Sequence, residues 1–312
     1  MTRMTDSSSV HQHDRLVAED GSSSSTRPRV LPITEQDLPE VGRFLGRNFP
    51  PDTSADSWAD AWRTTVNLPG SGAPNHGMLL RSGEEIVGAY PAIYSTRAID
   101  GALERFCNLA VWYVLPEHRT GATRMVKALL AQEGFHFTDF TPIEVVQRLD
   151  LRLGFEYLDT ETALVPNLPW PTIPRRTRIS ADPTVIDAAL TGEVGMLYRD
   201  HAGCRWARHL VMISGDDVCY VQWRIQRRKG LPWFASIQYV SNPALFRRRF
   251  HALARHFLIQ HRAPFSIVEL RVADGRIRPS RLLQKPSRRM YRSTTLRPDQ
   301  VDYLYSEITS AP

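Results

Sequence analysis

Short runs of alternating apolar and polar residues predict strands along the chain, and apolar spacings of three and four residues predict helices between them. Between residues 30 and 166, these patterns predict the order β-α-α-β-β-β-α-β-α-β-β. The first helix is predicted to begin at Thr34, where Asp37 completes a capping-box pattern. A second helix is predicted around residues 54–67, where two tryptophans one turn apart indicate core packing.

Tight turns punctuate the predicted sheet of this first half. Gly83 and the Asp100–Gly101 pair are typical of hairpin turns, so three antiparallel strands are expected in succession. The segment "PIEVVQRLDLRL" predicts a helix that ends at Gly154, a residue that suits a left-handed C-terminus. The following segment, "FEYLDTETALVP", is predicted to form a hairpin.

The second half repeats part of this order. The segments "AVWYVLPEHRTGATRMVKALLA" and "IQYVSNPALFRRRFHALARHFL" both read as a strand with Tyr-Val, a proline turn and a basic amphipathic helix. Such self-similarity indicates an internal duplication. The predicted fold class is therefore α+β (or α/β), with a mixed, mostly antiparallel sheet that is flanked by helices and is present twice.

Composition changes along the chain divide it into five segments. Polar runs rich in serine predict a disordered leader, because such a segment buries too little apolar surface to offset its ordering entropy. Three prolines in "NLPWPTIPRRT" predict a linker. The predicted segments are a leader over 1–27, a first domain over 28–166, a linker over 167–179, a second domain over 180–295 and a C-terminal tail over 296–312.

Composition and charge narrow the class of protein. Hydrophobic residues make up 42% of the chain, which supports a sizeable core, and the formal charge of +6 suits an anionic ligand. Cys107, Cys204 and Cys219 form no paired motif, so buried thiols in a reducing compartment are expected. No apolar run approaches the ~20 residues of a membrane span, and no metal-binding spacing occurs. A cytoplasmic protein without a metal is therefore expected.

The segment "VLPEHRTGATR" carries candidate chemistry. An apolar run ends at Pro116, a polar turn follows, and a helix begins. The first turn of a helix has N–H groups without partners and a positive dipole, so it suits a diphosphate, and nearby arginines would add charge. The candidate phosphate-binding residues are Arg119, Thr120, Gly121, Ala122, Thr123 and Arg124. The alternative is a plain strand–turn–helix connection with a solvated arginine.

The element order, this segment and the Gly154–Phe155 pair together resemble the GCN5-related N-acyltransferase (GNAT) superfamily. The resemblance covers residues 28–166 and, more faintly, 180–275. The residues that match the family's Val-x-Pro-x-x-Arg run are Val114, Pro116 and Arg119. Ala122 and Arg124 stand where the family has two small residues, and Arg124 is the larger departure.

The resemblance implies an N-acyltransferase that uses acetyl-CoA or a longer acyl-CoA. It implies that the pantetheine arm enters between two separated strands and bonds to the backbone of Trp112, Tyr113 and Val114. The acceptor would be a small-molecule or peptide amine. Two alternatives stay open, a non-catalytic tandem binding module and, less favoured, a nucleic-acid-binding protein that uses arginine-rich stretches of the second half, including Arg224.

The family's usual proton carriers are replaced in this sequence. Asp150 stands where the resemblance implies a tyrosine acid, and Asn108 stands at a frequent base position. Glu104, on the same predicted strand face as Asn108, and Asp139, at the end of the fifth strand, are therefore the candidate general bases. Asp150 would act as an acid only if burial raised its pKa. The alternative is that both candidates are ordinary surface carboxylates.

Overall fold

The computed structural model describes residues 27–48, 72–171, 177–204, 206–228 and 231–310. The predicted leader up to residue 26 and the predicted helix over 54–67 lie outside these ranges. The α-helices within them are α1 (Leu38–Asn48), α2 (Ala122–Leu130), α3 (Glu144–Arg152), α4 (Pro183–Ala189), α5 (Gly192–His201), α6 (Pro243–His261) and α7 (Glu307–Ser310). None of these helices has both the length and the apolar composition needed to cross a bilayer.

The described strands are β1 (Arg29–Pro32), β2 (Gly77–Ser82), β3 (Glu85–Ile99), β4 (Ala102–Leu109), β5 (Tyr113–Val114), β6 (His136–Asp139), β7 (Glu156–Tyr157), β8 (Thr162–Pro166), β9 (Arg178–Ser180), β10 (Arg208–Ser214), β11 (Asp217–Arg228), β12 (Leu231–Val240), β13 (Phe265–Glu269), β14 (Arg281–Leu282) and β15 (Met290–Arg292). They form two sheets. The first has the order β1-β2-β3-β4-β6-β15-β7, with β5 paired to β3, and the second has the order β14-β8-β13-β12-β11-β10-β9.

Helices cover both faces of the first sheet, because successive side chains of its strands point to opposite faces. Leu79 and Ile93 pack with the buried side of α1 on one face. Leu80 and Leu109 pack with α2 on the other. The capping box of Thr34 with Asp37 is present, in a short 3₁₀ turn that leads into α1.

Each sheet contains one parallel strand pair joined by a helix. In the first sheet, β4 and β6 are parallel and α2 connects them. In the second, β12 and β13 are parallel and α6 connects them. The core of the second sheet includes Trp223, which packs against Phe257 of α6 with ring centroids 4.6 Å apart.

The two sheets exchange strands. β8 pairs with β13 and β14 of the second sheet, so the prediction that "FEYLDTETALVP" forms a hairpin is wrong. β15 returns from the second half and lies between β6 and β7 of the first sheet. Since β8 finds partners on both edges in the second sheet, its backbone groups are paired there rather than along the two-residue β7. The sheet boundaries therefore differ from the predicted domain ranges.

The segment predicted as a C-terminal tail is packed against the first sheet. Val301, Tyr303 and Ile308 are buried together with Phe140. Arg97 of β3 holds Asp302 through both terminal nitrogens of its guanidinium. These contacts place α7 at the end of β6, next to the second sheet.

Candidate active site

The parallel strands β4 and β6 separate at one end. Their last pair is Leu109 with Asp139. Beyond it, the chain of β4 turns away, and Tyr113 pairs instead with Ala89 of β3. Three residues, 110–112, face only two, 90–91, between these pairs, so the chain contains a β-bulge. The bulge and the end of β6 border a gap, which we call the strand opening.

The predicted backbone contacts for pantetheine, Trp112, Tyr113 and Val114, form the bulge and the strand that follows it. The Trp112 ring stacks on Tyr90, with centroids 4.9 Å apart and planes 11° apart. Tyr113 contacts Phe44 of α1. These side chains fix the bulge to both faces of the sheet, so the backbone beside the strand opening is held by the core.

The loop before α2 is a 3₁₀ turn over Pro116–Gly121 that continues into the helix without a break. The Ala122 N–H donates to the Arg119 carbonyl, while the side chains of Arg119, Thr120 and Thr123 are exposed. Gly121 is buried, and a Cβ there would lie 2.5 Å from Cδ2 of Leu80. The glycine is therefore required by packing against the sheet, whether or not a phosphate binds.

Arg124 does not extend into solvent beside the loop. Its Nη2 donates to the Pro28 carbonyl at 2.8 Å, just before β1. The bulky residue that departs most from the family pattern therefore ties α2 to the edge of the sheet. Of the two predicted loop arginines, Arg119 is the one whose side chain is exposed.

The two predicted bases lie apart. Glu104 lies toward the far end of β4 and pairs with Nε2 of His136 at 2.8 Å. Asp139 lies at the strand opening and is 4% exposed. The structure therefore brings only Asp139 to the place where β4 and β6 separate.

Asp139 has a second carboxyl as its neighbour. This neighbour is Asp150 of α3, which is 1% exposed. Burial, with the nearby Glu307 and Asp150 charges, raises the pKa of Asp139 well above its ordinary value. Burial also raises the pKa of Asp150 to about 6. Burial therefore favours the protonated form of both carboxyls relative to a carboxyl in water.

A third carboxyl, Glu307 of α7, reaches the strand opening from the C-terminal segment. Its Oε1 accepts from Thr141 Oγ1 at 3.1 Å, and its backbone N–H donates to Asn108 Oδ1 at 3.1 Å. Asn108 in turn donates to Thr138 Oγ1 at 3.0 Å. Burial raises the pKa of Glu307 to about 7. Its Oε2 is buried and has no hydrogen-bond partner among the described residues.

The acid pair and Glu307 lie on opposite faces of the first sheet. Leu109, the partner of Asp139, packs in the core that contains α2. Phe140, the next residue after Asp139, packs with the C-terminal segment instead. Within the described ranges, no three His, Cys, Asp or Glu side chains are grouped to hold a metal ion.

A cavity of about 240 Å³ opens beside Glu307 between the two sheets. We call it the inter-sheet cleft. Val111 and Phe140 border it where it meets the strand opening, and a narrower recess of about 40 Å³ adjoins it. The polar side chains that line the cleft are Thr141, Arg224, Gln226, Ser236, Gln238, Ser287, Arg289 and Glu307.

Glu307 was not among the predicted site residues, and Arg224 was named only in the less favoured nucleic-acid-binding alternative. Residue 307 lies in the segment predicted as a tail, although the apolar residues Val301, Tyr303 and Leu304 just before it were a signal of burial. Trp223 faces α6. Because neighbouring residues of a strand point to opposite faces of the sheet, Arg224 is expected on the face away from α6. That face is turned to the cleft and not to solvent.

The sequence matches no family model and no curated protein. Solved structures do match. A GCN5-related N-acetyltransferase from Kribbella flavida superposes with a TM-score of 0.55 at 16% identity, over 85% of this chain and 70% of that one. A GCN5-related N-acetyltransferase from Anabaena variabilis gives 0.54 at 12% identity, over 85% and 72%. A protein from Pyrococcus horikoshii, provisionally assigned as an acetyltransferase, gives 0.50 at 13% identity, over 94% and 96%.

These matches span both sheets, since neither sheet alone accounts for 85% of the chain. The chain therefore has a mixed α/β fold like that of the GCN5-related N-acetyltransferases. At these identities the likeness is one of fold, and the chemistry has to be argued from the site.

Proposed function

We propose that this protein is an acyl-CoA-dependent N-acyltransferase that transfers an acyl group, in the first instance acetyl, to an amine. The observation that carries the proposal is the position of Glu307. A buried carboxyl with a pKa of about 7 and an unpartnered oxygen borders the cleft where two parallel strands separate. The fold shared with known N-acetyltransferase structures supports the same reaction.

Glu307 would act as the general base. An amine attacks a thioester only in its neutral form and loses a proton as the new C–N bond forms. A base works best when its pKa lies near the working pH, and burial brings the pKa of Glu307 there. Thr141 holds Oε1, which leaves Oε2 to accept the proton.

The pair of Asp139 and Asp150 would act as the general acid. When the tetrahedral intermediate collapses, the C–S bond breaks and the CoA thiolate takes a proton. Burial favours the protonated form of both carboxyls, which lie on the face of the sheet opposite to Glu307. The base and the acid would therefore act from opposite sides of the strand opening. Backbone N–H groups of the bulge would stabilise the oxyanion.

Acetyl-CoA or a longer acyl-CoA would lie along the strand opening. Its pantetheine arm would bond to the backbone at Trp112, Tyr113 and Val114, which the core holds in place. Its diphosphate would meet the exposed loop before α2, where Arg119, Thr120 and Thr123 are accessible. Arg124 is left out of this proposal because it bonds to Pro28.

We also propose that the second sheet derives from a duplication of the first. The parallel pairs β4–β6 and β12–β13, each joined by a helix, support this relation. At the end of β13 in the second sheet, the buried carboxyl of Glu269 pairs with Arg289 and not with a second acid. We therefore assign catalysis to the first sheet.

The test is release of CoA thiol from acetyl-CoA and longer acyl-CoAs with a panel of amines. We expect amine-dependent turnover, and we expect Glu307→Gln to lower kcat by ~10²–10⁴-fold. Glu104→Gln is the matched control, since Glu104 lies outside the strand opening and should keep nearly full activity. Absence of both turnover and acyl-CoA binding would instead favour a non-catalytic binding module.

A further inference from the structure

We propose that the acceptor is a small amine that also carries one carboxylate, bound in the inter-sheet cleft with its carboxylate at Arg224 and its amine beside Glu307 and Gln238. This inference rests on the proposed N-acyltransferase function and narrows its acceptor to amino-acid-like molecules. Three features of the cleft carry it: an arginine without a hydrogen-bonded carboxylate, two buried acceptor atoms without donors, and the placement of these side chains around one cavity.

The first feature is Arg224. Its half-buried guanidinium borders the cleft from β11 and forms one hydrogen bond among the described residues, from Nη1 to the Ile308 carbonyl at 3.1 Å. No described carboxylate forms an ion pair with it. A guanidinium carries five N–H donors, so most of its donors can bind a ligand. A bidentate carboxylate matches the planar fork of an arginine.

The positive charge of the neighbouring arginine, Arg289, is already balanced by a carboxylate. Arg289 pairs with Glu269 at 2.9 Å and lies over the Tyr303 ring, 4.1 Å from its centroid. Tyr303 OH donates to the other oxygen of the same carboxylate. Burial and the nearby Arg289 lower the pKa of Arg224, and the nearby Glu307 opposes that shift. Arg224 is therefore the arginine of the cleft that has no hydrogen-bonded carboxylate among the described residues, and a ligand carboxylate can take that place.

The second feature is a pair of unpartnered acceptors. Gln238 donates through Nε2 to the Ile308 carbonyl at 2.9 Å, which fixes its amide and turns Oε1 elsewhere. Gln238 and Glu307 both line the cleft, and the buried atoms Oε1 of Gln238 and Oε2 of Glu307 have no partner among the described residues. A buried acceptor without a donor is costly. The N–H groups of an amine would satisfy both atoms.

Arg224 and Gln238 bond to the same carbonyl, that of Ile308, and Ile308 follows Glu307 in the chain. The cation and the two acceptors are therefore held at one end of one cavity. A volume of about 240 Å³ far exceeds the ~10–15 Å³ that one water needs. A polyamine would place a second cation against Arg224, and an apolar amine would leave the polar wall unpaired. This arrangement therefore favours an amine with a carboxylate over both.

The experiment compares matched acceptors with acetyl-CoA as donor. Each amino acid is paired with its methyl ester and with the amine that lacks the carboxylate. We expect kcat/KM for the amino acid to exceed both by about 10- to 100-fold, because a charge-assisted hydrogen bond in a shielded site is lost. Equal rates for the three would overturn the acceptor assignment while leaving the N-acyltransferase function in place.

Two variants of Arg224 test whether this residue causes the preference for an acceptor with a carboxylate. Arg224→Gln should raise KM for the amino acid by about 10- to 100-fold and change KM for the decarboxylated amine much less. Arg224→Lys, which keeps the charge, should recover part of the loss. Arg248→Gln is the control, since Arg248 pairs with Asp217 and is half-exposed.

Calorimetry with the N-acetylated amino acid and the N-acetylated amine gives a readout without turnover. Tighter binding of the carboxylate form, lost in Arg224→Gln, supports the assignment, and equal binding overturns it. Absence of turnover with every amine overturns the function and this inference together.

Discussion

The side-chain oxygen of Asn108 accepts a hydrogen bond from the backbone N–H of Glu307 at 3.1 Å, across 199 positions of sequence. Asn108 stands on β4 at a position where the GNAT resemblance leads one to expect a base. It cannot take up a proton from an amine, but it fixes the start of α7 and with it the Glu307 carboxyl. Under the proposed function, Glu307 of the C-terminal segment takes the place of the carboxyl that β4 lacks.

Replacing Asn108 by Ala should therefore lower both stability and activity. The change leaves the buried Glu307 N–H without an acceptor, which costs about 1–3 kcal/mol. Urea unfolding measures the loss of stability, and kcat measures the loss of activity. Thr138→Val is the control, since it removes only the partner of the Asn108 amide. An Asn108→Ala variant with the kcat of wild type would show that Asn108 does not position Glu307.

Stability should fall as pH rises from about 5 to 8. Burial raises the pKa values of Glu307 to about 7 and of Asp150 to about 6, from ordinary values of 4.5 and 3.8. Between the unfolded and folded pKa values, the native state binds more protons than the unfolded state, so the free energy of unfolding decreases with pH. The stabilisation is complete below the unfolded values and is lost as pH passes the folded ones.

Urea unfolding at pH 5 and pH 8 measures this loss. Glu307→Gln should flatten the slope by up to ~1.4 kcal/mol per pH unit over the window in which Glu307 titrates. The same variant should remove the rise of kcat/KM with pH that is centred near the pKa of Glu307. A free energy of unfolding that does not change over this range would contradict the raised pKa values.

Replacing Arg119 should affect ligand binding, whereas replacing Arg124 should affect stability. Arg119→Ala should weaken acyl-CoA binding by ~1–3 kcal/mol, because an exposed side chain at the start of α2 meets a phosphate. Arg124→Ala should lower the free energy of unfolding by about 1 kcal/mol instead, since it removes the bond to the Pro28 carbonyl. Calorimetric titration and urea unfolding of both variants distinguish the roles. An Arg124 variant that loses affinity at unchanged stability would restore its predicted phosphate contact.

Gly121→Ala should destabilise the protein even without a ligand. The added Cβ would lie 2.5 Å from Cδ2 of Leu80, and overpacking of this kind costs about 1–3 kcal/mol. The double variant with Leu80→Val should recover part of the loss, because valine has no δ carbons. Urea unfolding of the two single variants and the double variant gives the coupling free energy between positions 121 and 80. Strict additivity would mean that the glycine is not required by this contact.

Parts of the structure that depend on residues close together in the chain could be predicted from the sequence. Thr34 and Asp37 bond to each other, so the capping box could be predicted from their spacing. Gly154 adopts a φ of 86° at the end of α3. Glycine favours this left-handed conformation, so the residue type alone was enough to predict the end of the helix. The separation of β4 and β6 followed from the family resemblance of the loop between them.

Pairings between distant segments could not be predicted in the same way. The alternation in Thr162–Pro166 identifies a strand, but it does not say that the partner is β13 rather than β7. The pKa of Asp150 depends on burial beside Asp139, and neither residue's pattern shows that they meet. Glu307 was missed because its polar neighbours in sequence resemble a tail, whereas its contacts come from β4 and β6.

The exchange of strands has a consequence for synthesis of the chain. β6 has β4 as a partner early, but its other edge waits for β15, which leaves the ribosome some 150 residues later. Until then, the edge of β6 exposes unpaired backbone groups to other nascent chains. Neither half can complete its sheet alone, so the two halves mature as one cooperative unit, and the site is assembled only after the segment around Glu307 has been synthesised.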